Sequence, residues 1–168
     1  MTTLDPQRMT QKARYKLATG AVVPRPIAWV STMDGAGRLN LAPFSFFNVA
    51  ATNPLTLLFC VQVVEDGAKK DTLANIEARG EFVVNLPDER TVEAMNLSAT
   101  ALPPGQSEFE WAGVAAAASE RIAVPRVAEA LLPIGVGRGD DRDAVLVDLA
   151  NAAGIAQTIG DEAHHVSP

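Results

Sequence analysis

The stretch IAWVSTMDGAGRLNLAPFSFFN, residues 27–48, decides the fold. It opens on a strand-like run from Ile27 to Thr32, turns through Asp34-Gly35-Ala36-Gly37 and re-enters an apolar segment. In that segment Asn40, Pro43, Ser45 and Asn48 stand among Leu41, Ala42, Phe44, Phe46 and Phe47. Gly35 and Gly37 can supply the positive φ angles of a hairpin loop, so the strand ending at Thr32 is expected to pair with one beginning near Leu39. Pro43 speaks against a continuous central strand there. Small polar groups set among aromatics, with backbone freed by proline, suit a flat, partly polar ligand better than a plain core strand.

Upstream, Asp5-Pro6 has the form of an N-cap and first helical residue, predicting a short helix over residues 5–17 that ends before Gly20. Pro24-Arg25-Pro26 forces extended backbone, as at a sheet edge or strand entrance. Downstream, Asn53-Pro54 predicts a turn and residues 55–63 a strand apolar enough to be buried on both faces. Four strand candidates within about forty residues favour a barrel or sandwich.

Residues 69–80 read as a helix with Asp71 or Thr72 at the N-cap, Leu73, Ile76 and Ala74 toward the core, and Gly80 just past the end. Residues 81–86 predict another strand, 87–98 a helical stretch and 102–105 a loop. Residues 107–113 are too short and mixed to assign, and 120–127 suggest a strand broken by Pro125. Beyond Ala130 the signals weaken, with one further strand predicted around Val145-Leu146-Val147.

The chain has 168 residues, the size of one domain. Its 14 Lys and Arg against 20 Asp and Glu give a formal charge of −6, so nucleic acid is not an expected partner and any anion site must be local. Cys60 is the only cysteine, which excludes an intrachain disulfide and predicts a buried, inert thiol and a reducing compartment. No run approaches the ~18 apolar residues of a membrane span, and the N-terminus lacks the apolar core of a signal peptide. The expectation is a cytoplasmic protein without a membrane partner.

The best candidate anion site is the helix opening at Lys70-Asp71-Thr72, where unpaired amides, the positive dipole end and a lysine coincide. From this triplet alone a capped surface helix with solvated lysines is the commoner outcome. Asn40, Ser45 and Asn48 could address the polar edge of a heterocycle, or simply satisfy local backbone, and Ser31 and Thr32 share that ambiguity. His164 and His165 fall in the last five residues, which argues against a catalytic histidine. Gly135-Val136-Gly137-Arg138-Gly139 lacks the full spacing of a dinucleotide loop. Phe109 and Trp111 fit a core anchor, a ligand cover or a subunit contact.

Taken in order, PRPIAWVSTMDGAGRLNLAPFSFFNVAATNP, KDTLANIEARGEFVVNLP, LPPGQSEFEWAG and VPRVAEA resemble the flavin reductase-like family of FMN-binding split barrels. The resemblance runs from about residue 15 to residue 130. It implies a mainly β fold with helices, a split β-barrel, assembled as a homodimer with FMN near the subunit boundary. It also implies flavin reduction by NADH or NADPH. Carried over by position, Ser31, Thr32, Asn40, Ala42, Pro43, Phe44, Ser45 and Asn48 form the flavin-facing motif, and Lys70, Asp71 and Thr72 the phosphate-side motif.

No protein acid or base is then required, because the chain's task is to position rings and exclude water. Reduced flavin would pass to a partner oxygenase or another acceptor. Residues 131–168 depart from the family's usual continuation, as a shifted frame, a truncation or a divergent end would each produce. This predicts a split-barrel domain over 1–130 and a divergent segment over 131–168, with the closing strands altered or missing. The alternative expectation is a flavin-binding or interaction module without turnover.

Overall fold

The computed structural model describes residues 4–53, 55–62, 68–103 and 105–137, together with the backbone of 143–148. In chain order the elements are a 3-10 turn (Pro6–Arg8), α1 (Gln11–Ala21), β1 (Ala28–Met33), β2 (Leu39–Phe44), β3 (Phe47–Thr52) and β4 (Leu55–Cys60). There follow α2 (Asp71–Arg79), β5 (Phe82–Leu86), α3 (Val92–Leu97), α4 (Glu108–Trp111), β6 (Ala116–Ala117), β7 (Arg126–Val127), β8 (Leu132–Val136) and β9 (Asp143–Asp148). Pro54, Val63, Pro104, Gly139, His164 and His165, on which some expectations fall, lie outside the described residues.

The hairpin forms as expected, with β1 and β2 antiparallel and Thr32 opposite Asn40. Its turn is held by the Asp34 carboxylate, which accepts the N–H groups of Ala36 (2.8 Å) and Arg38 (2.9 Å), while Gly37 takes φ 84°. Those amide bonds, above all from Arg38, and the adjacent guanidinium hold Asp34 below the usual carboxylate range.

As Pro43 requires, β2 is not a central strand: it runs through Pro43 at the edge of the sheet β2-β1-β5-β8. The Leu41 N–H points away from β1 and meets Glu108 Oε2 at 3.1 Å. Pro43, two residues on, faces the same way, so the donor it lacks falls outside the ladder.

Period-two alternation divides the four-stranded sheet between two apolar clusters. Ala28, Val30, Phe44, Phe82 and Val84 pack with Phe59, Val61 and Leu73 into one core. Phe59 lies 5.4 Å from the Phe44 ring, tilted, and 5.7 Å from the Phe82 ring, edge-on, contacts worth about 1 kcal/mol each beyond area burial. Trp29 and Leu41 point to the other face, where Phe109 and Val127 cover them. The second sheet, β3-β4-β9, contributes Phe59 to the first core. The result is a split β-barrel with helices, the predicted fold.

Several local expectations are corrected. The single N-terminal helix is two pieces, because Thr10 accepts from the Ala13 amide (3.2 Å) and opens α1 after Asp5 has capped only the first turn. β4 fully buries only one face, with Leu57 and Phe59 inside and Thr56, Leu58 and Cys60 on the other face half-buried. In α2 the N-cap is Lys70 and Ala74 is exposed, whereas Leu73 and Ile76 face the core and Gly80 closes the helix at φ 69°. Cys60 is half-buried.

Strand β8 carried no sequence signal, since Pro133 and Gly135 interrupt its pattern, yet Ile134 and Val136 pack on the first core. It pairs antiparallel with β5, and β9 runs parallel to β4. Residues 135 and 136 are thus strand, not a dinucleotide loop. Of the predicted 120–127 strand only Arg126–Val127 forms.

Asn85, fully buried, ties the second face together. Its Nδ2 donates to Trp29 O (2.9 Å) and its Oδ1 accepts the Val127 N–H (2.9 Å). Replacing Asn85 by Ala strands that amide and should lower the unfolding free energy by about 2–4 kcal/mol at unchanged m-value in urea.

Burial raises the Glu108 carboxyl above its ordinary range, opposed by the Leu41 N–H and reinforced by the charge of Asp71. The folded chain therefore holds this proton more tightly than the unfolded chain. The stabilisation is complete below the unfolded value and lost as pH rises through the folded one. Denaturant unfolding of the wild type and Glu108→Gln, compared from pH 4.5 to 7, should show the wild type losing stability relative to the variant. A pH-independent difference would contradict this.

Candidate functional site

A buried polar knot joins the hairpin to the first turn of α2. Asn40 Nδ2 donates to Thr32 Oγ1 (3.2 Å) and Thr72 Oγ1 (3.0 Å), and Asn75 Nδ2 donates to Thr32 Oγ1 (3.1 Å). All four side chains are buried. The knot fixes where α2 begins. The first α2 amide bonded to a carbonyl one turn back is that of Ala74, which reaches Lys70 O. The amides before it therefore have no intrahelical acceptor and stand at the positive end of the helix dipole.

Beside this helix end Pro43, Phe44, Ser45 and Lys70 line a cleft of about 100 Å³. The Lys70 ammonium sits 5.8 Å from the Phe44 ring centroid. The cleft shares Tyr15, Phe46 and Gln62 with a groove of about 460 Å³ along α1, and the Tyr15 and Phe46 rings are 6.1 Å apart. A small basic cleft opening into an aromatic groove fits a phosphorylated heterocycle in both size and charge. Among its described lining residues Lys70 is the one charged side chain, and there is no carboxylate.

The expected residues divide into groups. Pro43, Phe44, Ser45 and Lys70 meet at the cleft, with Ala42 packed behind on the aromatic core. Thr32, Asn40 and Thr72 are brought together in the knot, and none of them lines the cleft. Asp71 is exposed and lines a different cavity, of about 310 Å³, with Asn40 and Asn75. Ser31 lies on the opposite sheet face, donating to Pro125 O (2.7 Å) and accepting from Asn85 (3.3 Å). Asn48 is exposed on β3 and its side chain accepts from the Val49 amide. Phe109 is a core anchor, whereas Trp111 is 56% exposed.

Two residues that the sequence reading passed over join the site. Asn75 lies three residues beyond Thr72, hence on the same helical face, and that spacing was its signal. Arg25 donates from Nε to Ser45 Oγ (3.3 Å). Its signal was its place between two prolines.

Another cavity of similar size to the α1 groove lies elsewhere. It occupies about 420 Å³ between β8 and residues 119–126, and none of the expected residues lines it. The cleft at Lys70 is better supported, because it unites expected residues, a helix N-terminus and a lysine.

Comparison with known proteins gives concordant results. A relative from Halalkalibacterium halodurans is 43% identical over 148 residues, 82% of this chain and 70% of that protein. The chain spans 59–60% of the length of three other relatives. Among solved structures, nitrilotriacetate monooxygenase component B from Bacillus cereus is similar at 40% identity and a TM-score of 0.77, covering 86% of this chain and 75% of that one. The 2-nitrobenzoate 2-nitroreductase of Pseudomonas fluorescens is similar at 36% and a TM-score of 0.70, covering 80% and 64%. The profile of the flavin reductase like domain matches residues 19–136. That span runs from the last turn of α1 to the end of β8 and takes in the whole four-stranded sheet, and the chain belongs to the flavin reductase like domain family.

Proposed function

We propose that this chain binds FMN and reduces it with NADH or NADPH. The observation that carries the reading is the meeting of the α2 N-terminus and Lys70 with the cleft of Pro43, Phe44 and Ser45. The α2 amides and Lys70 take the phosphate, and the β2 end and the groove beyond it take the ring system. Thr32, Asn40 and Thr72 act through the knot that fixes the helix start, and Asp71 belongs to the same turn. Ser31 braces β1 from behind, and Asn48 borders the ring side. Bound there, a flavin would supply two-electron redox chemistry between nicotinamide and acceptor. The chain contributes position, charge and shelter from water.

Residues 1–130, extended by β8, form the domain that carries this site, and residues beyond it form a divergent segment. The acceptor of the electrons is a partner oxygenase, a reading supported by the similarity to a monooxygenase component B. A homodimer is supported by α1, which buries none of its residues, and by β3, whose Val49 is 52% exposed. Among the described residues no helix is long and apolar enough to cross a membrane.

Purified protein should be yellow or become so with FMN, and should then oxidise NADH or NADPH. Flavin-loaded protein that neither nucleotide reduces would be a flavin-binding module instead. Lys70→Ala should weaken FMN about tenfold or more while leaving riboflavin nearly unchanged, a charge-assisted contact being worth about 1.5–3 kcal/mol. Equal losses for both would remove Lys70 from the phosphate. Thr72→Val leaves an Asn40 N–H without its acceptor, and thermal unfolding should report a loss of about 1–3 kcal/mol alongside weaker FMN binding.

A further inference from the structure

Arg25 is half-buried, and no described carboxylate pairs with it. Its Nη1 donates to Thr19 O (2.5 Å) and Val22 O (2.7 Å) at the end of α1, where carbonyls and the negative dipole end favour a cation. Pro24 and Pro26 restrict the backbone on either side. So held, the guanidinium donates from Nε to Ser45 Oγ at 3.3 Å. A serine hydroxyl has one proton and two lone pairs. The arginine occupies the acceptor side of that oxygen, and Ser45 makes no other hydrogen bond among the described residues. The hydroxyl proton is left for an acceptor in the cleft that Ser45 lines.

We propose that Arg25 is a positioning residue that makes Ser45 a hydrogen-bond donor to the ring system of the flavin and favours the reduced, electron-richer ring over the oxidised one. The inference rests on the flavin site proposed above. It assigns the two cations at the cleft different tasks. Lys70, at the helix N-terminus, answers the phosphate, whereas Arg25, tethered to α1 and reaching the cleft through a hydroxyl, answers the ring. Reduction adds electron density to the ring, and both a fixed donor and a nearby positive charge stabilise the product more than the reactant.

The test uses the full chain and the variants Arg25→Gln, Arg25→Lys and Ser45→Ala. Kd values for oxidised FMN and riboflavin are measured by fluorescence, and the midpoint potential of bound FMN against reference dyes. Arg25→Gln and Ser45→Ala should weaken FMN and riboflavin by the same factor, about three- to tenfold. Reduced flavin should lose about tenfold more affinity than oxidised, lowering the two-electron potential by about 30 mV. The double variant Arg25→Gln/Ser45→Ala should be little worse than either single one, since the two side chains act as a unit. Arg25→Lys, which keeps the charge, should recover part of the potential.

An unchanged potential in Arg25→Gln overturns the proposal. So does a loss confined to FMN, which would move Arg25 to the phosphate. Should Arg25→Gln fail to fold, Ser45→Ala decides alone, and a wild-type potential there overturns the proposal as well. Wild-type protein that binds neither flavin refutes the functional reading itself. Wild-type binding with indifferent variants refutes only the role of Arg25.

Discussion

The amide of Asn40 is the point on which the site depends. One side-chain nitrogen donates both to Thr32 on the neighbouring strand and to Thr72 on a helix thirty-two residues away. Burying such groups without partners would cost about 1–3 kcal/mol apiece, so the arrangement is tolerated only because they satisfy one another. That mutual dependence is also what makes it specific. A helix displaced by one residue would turn Thr72 and Asn75 off the strand pair and leave amide donors in an apolar interior. The direction in which the free amides of α2 point is thus set by side chains that need not touch a ligand.

The sheet around the knot uses each face differently. Residues of even number on β1 look into the aromatic core and the knot, while Trp29 and Ser31 look toward α3, α4 and residues 125–127. Trp29 Nε1 donates to Ser98 Oγ at 2.8 Å, and Ser98 Oγ in turn donates to Met95 O at 2.7 Å, so the largest buried side chain is anchored by its polar edge as well as by packing. Glu108 does for the outer edge of β2 what another strand would do elsewhere. Its carboxylate takes the Leu41 amide on the outer edge where Pro43, which has no N–H, needs no partner.

Much of this was legible in the chain. The glycines at 35 and 37 announced the hairpin, Gly80 closed α2, and Pro43, Phe44, Ser45 and Lys70 fell together as their residue types suggested. What escaped notice did so for definable reasons. Pro43 argued against a central strand, but that β2 lies at an edge is decided by distant partners. Pro133 and Gly135 hide β8 because its stability comes from pairing with β5, not from its own pattern. Asn75 and Arg25 are polar residues whose partners, Thr32 and Ser45, lie 43 and 20 residues away. The flavin itself was suggested by family likeness, since composition carries no such information.

The sequence range of the knot bears on the order in which the molecule assembles. Its bonds span separations of 8, 32 and 43 residues and involve nothing beyond Asn75. Closing loops of that size is entropically cheaper, though only modestly, than the longer closures that Ser31 makes to Pro125 across 94 residues and Trp29 to Ser98 across 69. Low separation favours early contact formation. The geometry of the helix end can therefore be established while the chain is still leaving the ribosome, before the strands at its far end exist to be paired.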